Sequence, residues 1–197
     1  SPKKQEEAPV PKTITPAEIP DKGDFIYVPE IGLYLSKERA HLNKNWDECQ
    51  EELHKENYRM PTIPEFSALL NYLRANSSNQ EYQNIYNEIT QVREPWRSEH
   101  LDAKFLGKKR QKQITYHKFE SDGSIIQVTE DLEQCLMKDK QPGISLDEWL
   151  SNHTKQGLPK KRIADGDLYF WYPRPNSVAW FDAYADRADL NCDRGPF

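Results

Sequence analysis

Leu168-Tyr-Phe-Trp-Tyr172, closed by Pro173, precedes Ser177-Val-Ala-Trp-Phe-Asp-Ala-Tyr-Ala-Asp-Arg-Ala-Asp-Leu-Asn-Cys-Asp-Arg-Gly-Pro196. The first run has strand length and is continuously apolar or aromatic, which predicts a central strand covered on both faces. In the second, Phe181, Ala183 and Ala185 alternate with Asp182, Tyr184 and Asp186. After a slip of one residue, Ala188, Leu190 and Cys192 alternate with Asp189, Asn191 and Asp193. A period of two means strand, and the slip predicts a turn or bulge near Asp186 and Arg187. One face then carries small and apolar residues for burial; the other carries Asp, Tyr, Asn and Arg for solvent. Ala and Asp are poor strand formers, so this segment must be held by the surrounding sheet rather than by its own propensity.

The same stretch changes composition. Lys, Glu and Gln supply roughly a quarter of residues 1–170 and none of residues 171–197. What replaces them is Tyr184, Trp180, Arg187 and Arg194, the residue types that carry most binding energy at interfaces, set among Asp and Asn. An ordinary solvated sheet face is laced with Lys and Glu, whereas this one has the make-up of a paratope.

Upstream, the elements that would support such a sheet are legible. Thr62, followed by Pro64 and Glu65, opens a helix with a capping-box pattern, and Phe66, Leu69, Leu70 and Leu73 keep helical spacing until Asn76. Asn45 caps a second helix, over 45–56, whose Trp46, Cys49 and Leu53 form one stripe. A third is expected over 81–90, and a short one from the cap Ser145 to Leu150. Phe25–Val28 and Leu33–Leu35 read as strands, and 113–120 and 124–129 as a hairpin about Ser121-Asp-Gly123. The sum is an α+β fold, with the helices near 45–56 and 63–75 packed on a mixed, mostly antiparallel sheet that contains 167–172. Residues 1–23, with five prolines among Lys and Glu, are expected to be a disordered or strap-like tail before a domain over 24–197.

The whole chain narrows the function. With 197 residues and a net charge of −5 it lacks the basic field that nucleic acid requires. No stretch is long and apolar enough for a membrane span. Three widely spaced cysteines, Cys49, Cys135 and Cys192, offer no zinc or disulfide pattern; the odd count favours reduced thiols and a cytoplasmic location, with surface display the alternative. The five His show no metal-ligand or nucleophile-pair spacing. Neither a catalytic residue, a metal nor a cofactor is expected.

Three stretches carry a resemblance. Arg59-Met-Pro-Thr-Ile-Pro-Glu-Phe66 is similar to the helix opening of lectin-fold proteins of the formylglycine-generating type. Gly166-Asp-Leu-Tyr-Phe-Trp-Tyr-Pro-Arg174 resembles the strand that leads into a variable region. Ser177–Pro196 resembles the variable region of the archaeal-type variable proteins of diversity-generating retroelements, where fixed and diversified positions alternate. The resemblance implies a C-type-lectin-like fold that binds a variable macromolecular ligand, a protein above all, through a hypervariable region over 177–197. In that family, adenines of a template are copied with errors, so codons of the adenine-adenine-pyrimidine kind never become Lys, Glu, Gln, Met or Trp. The absent Lys, Glu and Gln agree with this, whereas Trp180 would have to come from an adenine-first Arg codon. Members of the family continue past the corresponding Pro with a closing strand, while this sequence stops at Phe197.

Position by position, the resemblance implies a ligand-facing set of Trp180, Asp182, Tyr184, Asp186, Arg187, Asp189, Asn191, Asp193, Arg194 and Gly195. The implied scaffold is Val178, Phe181, Ala183, Ala188, Leu190 and Cys192. Two alternatives remain at this level. One is a formylglycine-generating-like oxidoreductase using Cys192, and the other a calcium-dependent sugar lectin drawing on Pro173–Asn176 with Asp189 and Asn191.

Overall fold

A computed structural model describes residues 21–108, 111–184 and 186–196. The expected tail, apart from 21–23, and Ala185 lie outside these. Asn45 caps α1 (Trp46–Lys55) with a full capping box: its side chain accepts from the Glu48 amide at 2.9 Å, and Glu48 Oε2 accepts from the Asn45 amide at 2.9 Å. Thr62 and Glu65 form the same reciprocal cap on α2 (Ile63–Ala75). Asn79 caps α3 (Gln80–Thr90) and Ser145 caps the short α4 (Leu146–Ser151). These helices begin where the sequence supplies a side chain for the amides that the first turn leaves without partners.

The strands are β1 (Phe25–Val28), β2 (Leu33–Ser36), β3 (Arg97–Lys108), β4 (Gln111–Phe119), β5 (Ile125–Asp131), β6 (Lys140–Ile144), β7 (Leu168–Trp171), β8 (Ser177–Ala183) and β9 (Ala188–Arg194). β1 and β2 pair as a ribbon. The others form one sheet in the order β5-β4-β3-β8-β9-β7-β6. Among the described residues only the β7–β9 pair is parallel. The architecture of the described residues is therefore α+β, with four helices packed on a mixed, mostly antiparallel sheet.

Two expectations need correction. β7 is second from the sheet edge, and the middle place belongs to β8, between β3 and β9. Nor is β7 covered on both faces: Leu168 and Phe170 are buried while Tyr169 and Trp171 are half-exposed. The aromatic run concealed an alternation because Tyr and Trp are apolar enough for a core and polar enough for a surface.

β8 carries the packing of both sides of the sheet. Ala179 and Phe181 enter the main core with Leu190 and Cys192 of β9, and the Phe181 ring lies 5.2 Å from Phe66 of α2 and 6.2 Å from Trp149 of α4. Val178 points the other way, into a smaller cluster with Trp46, Cys49 and Met60, as strand alternation requires. The indole of Trp46 also donates to the Leu101 carbonyl of β3 at 2.9 Å. Helix α1 thus covers part of the face that β8 presents away from the main core. Losing its cap, Asn45→Ala, should cost about 1 kcal/mol and lower the melting temperature by about 2–4 °C, as measured by circular dichroism against the parent chain.

Candidate ligand-binding face

The register of β8 against its neighbours defines the face. Trp180 stands opposite His100 of β3 and Asn191 of β9; Asp182 stands opposite Ser98 and Asp189. On the far side of β9, Tyr169 and Trp171 of β7 partner Asp189 and Asn191. A shift between Val178 and Trp180 puts Arg194 opposite Val178, and so on the same side as Trp180. The turn between β8 and β9 is closed by the Tyr184 amide donating to the Arg187 carbonyl at 2.7 Å.

Two arginines lie over aromatic rings on this face, and a third, Arg174, lies over Tyr172, which packs against the main core. Arg194 is 4.6 Å from the Trp180 ring centre, Arg187 is 5.4 Å from Tyr169 and 5.7 Å from Tyr184, and Arg174 is 4.7 Å from Tyr172. Guanidinium groups stack flat on such faces and keep their in-plane donors for other partners. Here those donors reach carboxylates and a phenol. Arg174 Nε lies 3.2 Å from Asp193 Oδ2, Arg187 Nε donates to Asp189 Oδ2 at 3.4 Å, and Arg194 Nη2 donates to the Tyr184 hydroxyl at 3.4 Å. Tyr184 in turn stacks on Trp96 at 5.7 Å, and Trp180 meets His100 edge-on at 4.4 Å. The surface is therefore a set of aromatic plates and arginine forks fixed by their neighbours, with little side-chain entropy left to lose on contact.

Of the expected ligand-facing residues, Asp186 and Gly195 are exposed, and Trp180, Tyr184, Arg187, Asn191, Asp193 and Arg194 are half-exposed. Asp182 and Asp189 are not at the surface: they are 0% and 1% exposed. Their positions belong to the outer face by alternation, but β8 and β9 lie in the interior of the sheet and side chains lean over them. The segment before β3 also closes in, its Arg93 amide bonding to the Tyr184 carbonyl at 2.7 Å. Every expected scaffold residue, Val178, Phe181, Ala183, Ala188, Leu190 and Cys192, is buried.

The two buried carboxylates differ. Asp189 accepts from the Trp171 indole at 3.0 Å and from Arg187, which partly offsets the upward push of burial. Neither oxygen of Asp182 has a hydrogen-bond partner among the described residues. Burial pushes its carboxyl up to about 6; Ser98 and the charge of Arg194 favour the ionised form, while Asp189 and Glu99 oppose it. Ser98 stands across the strand pair, but its hydroxyl makes no geometrically sound bond to the carboxylate.

Cys192 is fully buried, and burial holds its thiol well above the ordinary range, so it packs rather than presenting a nucleophile. Among the described residues no group of three or more His, Cys, Asp or Glu could hold a metal ion. No helix among them is long and apolar enough to cross a membrane. Sequence reasoning missed Trp96, Tyr169 and Trp171, which frame the face, and the reach of Arg174 to Asp193. The alternation hidden in 168–172 was the signal for two of them, Tyr169 and Trp171. No family model, curated protein or solved structure matches this chain.

Proposed function

We propose that the chain is a binding protein rather than an enzyme, a C-type-lectin-like scaffold whose 177–197 segment is a retroelement-diversified, hypervariable face for a macromolecular ligand, above all another protein. One observation carries the reading. In β8 and β9 the residues expected to be fixed are all buried, and most of those expected to vary sit on the side that faces outward. Such a division lets side chains change without loss of fold, because exposed substitutions usually stay within about half a kcal/mol while buried truncations cost several. The chemistry supports recognition of a protein surface: aromatic area, forked arginines and paired carboxylates, with no Lys, Glu or Gln.

Asp182 and Asp189 enter the proposal in a changed role. As buried residues they shape and tune the face from beneath, through Trp171 and the arginines, rather than touching a ligand.

The test is a library randomised together at Trp180, Tyr184, Asp186, Arg187, Asn191, Asp193, Arg194 and Gly195, displayed and panned against an unrelated purified protein such as lysozyme. Most members should fold with melting temperatures within a few degrees of the parent, and binders should emerge. A library in which most members fail to fold, or one that folds and yields no binder, would remove the basis of the proposal.

A further inference from the structure

A cavity of about 700 Å³ lies between the β1–β2 ribbon and the main sheet, within the size range of ligand pockets. Four consecutive residues of β2, Leu33–Ser36, line it on one side, and four of β3, Arg97–His100, on the other. Successive strand side chains point to opposite faces, so a run of consecutive residues lines a space only along the strand's edge.

Both edges are unpaired among the described residues. β2 is hydrogen-bonded only to β1. β3 pairs with β8 along 97–101 but meets β4 only from Lys104 onward, and the segment before α2 touches it just beyond, where the Asp102 amide donates to the Pro61 carbonyl at 2.8 Å. Two strand edges without a main-chain partner among the described residues thus border one cavity, and the group that pairs with such a row is another extended backbone.

We infer that this cleft takes an extended peptide segment of a partner protein, which adds as a strand between β2 and β3 and joins the ribbon to the main sheet. The lining sets the kind of peptide. Leu35, Leu69, Ile89 and Met60 supply an apolar wall, suited to apolar side chains at every second position. On the β3 side the charges are already matched: Arg59 forks onto Glu65 at 2.6 and 2.8 Å, and Arg97 pairs with Glu99 and Glu88, while Glu38 and Arg39 beside the end of β2 add one charge of each sign. A peptide with an uncharged central stretch therefore complements the site. On the side of Trp180, the Ser98 hydroxyl, His100 Nδ1 and Trp180 Nε1 are buried without partners among the described residues, and they offer polar contacts to the alternate side chains. Trp180 is shared with the C-terminal face, whereas the edges of β2 and β3 are not, so the main-chain pairing does not depend on diversification of that face.

The experiment pans a displayed random heptapeptide library against the full chain and maps an enriched peptide by amide hydrogen exchange. The expected peptides alternate apolar residues and slow exchange at least tenfold at outward amides within 33–36 and 97–100. A version N-methylated at alternate positions, which keeps the side chains but loses main-chain donors, should bind at least tenfold more weakly. So should the parent peptide with a Leu35→Arg chain whose melting curve is unchanged. The inference is overturned if no peptide is enriched, if protection falls elsewhere, or if the N-methylated version binds equally well, which would mean simple filling by an apolar molecule. It is also overturned if those amides are already protected in the free full chain, because a segment of the chain itself would then occupy the cleft.

Discussion

Leu190→Asp is expected to leave the chain unfolded, or within reach of unfolding, at 25 °C and neutral pH. Leu190 is fully buried in the main core on β9, directly opposite Phe181 and beside Phe170 of β7. Loss of the apolar side chain alone costs about 2–5 kcal/mol by analogy with truncation to Ala. An unpaired carboxylate in that setting costs several more, since none of the neighbours named here carries a donor. Total stabilities of about 5–15 kcal/mol leave little after such a loss. Far-ultraviolet dichroism and urea titration would check it, and a cooperative transition at the parent midpoint would contradict the burial assigned to this side of β9.

The neighbouring strand carries a natural counterpart with the opposite expectation. Asp182 is already a buried carboxylate without a hydrogen-bond partner among the described residues, its titration raised from an ordinary 3.8 to about 6. A carboxyl raised in the folded state binds its proton more tightly there than in the unfolded chain, so the cost is absent below about pH 4 and fully present above about pH 6. Asp182→Asn keeps the shape and removes the charge. It should stabilise the protein by roughly 3 kcal/mol above pH 7, from about 1.4 kcal/mol for each pH unit of displacement, and the gain should fade as pH drops from 6 to 4. Urea midpoints at pH 4 and pH 7.5, with the slope unchanged, measure it. A gain of equal size at both pH values, or a loss at pH 7.5, would contradict the account.

Both expectations concern one question, how far strand alternation in the sequence predicts exposure. For the inner face it predicts well. Phe181, Ala183, Ala188, Leu190 and Cys192 are buried because nothing but a core accepts five such residues at period two. For the outer face it predicts direction and not depth. Asp182 and Asp189 point away from the main core yet are buried, since the long side chains of Tyr184, Arg187 and Arg194 lean across the short ones. Only tertiary context supplies that cover, and local sequence has no term for it.

The helices were legible for a related reason. Asn45, Thr62, Asn79 and Ser145 each satisfy first-turn amides within three residues of themselves, so the signal is local and complete in the sequence. β3, the longest strand at 12 residues, left no comparable signal. Arg97, Glu99, His100, Asp102 and Lys104 place charge on both of its sides. They are accommodated by distant partners: Asp102 accepts from Gln50 at 2.7 Å and from the His117 amide at 2.7 Å, and Arg97 reaches Glu88 at 3.0 Å. Polar residues whose partners lie as far as 52 positions away give no local period, so this strand is legible only once the fold is known.

The most direct test of diversification lies in the gene. Sequencing the region around the coding segment, and that segment across many isolates of the source population, should find a near-copy of the codons for 177–197 that differs from them only at adenines. Substitutions among isolates should be confined to the codons of the implied variable set, Trp180, Asp182, Tyr184, Asp186, Arg187, Asp189, Asn191, Asp193, Arg194 and Gly195, with those of Val178, Phe181, Ala183, Ala188, Leu190 and Cys192 constant. The absence of any such copy, together with substitutions spread evenly over inner and outer codons, would contradict the assignment of this face as hypervariable.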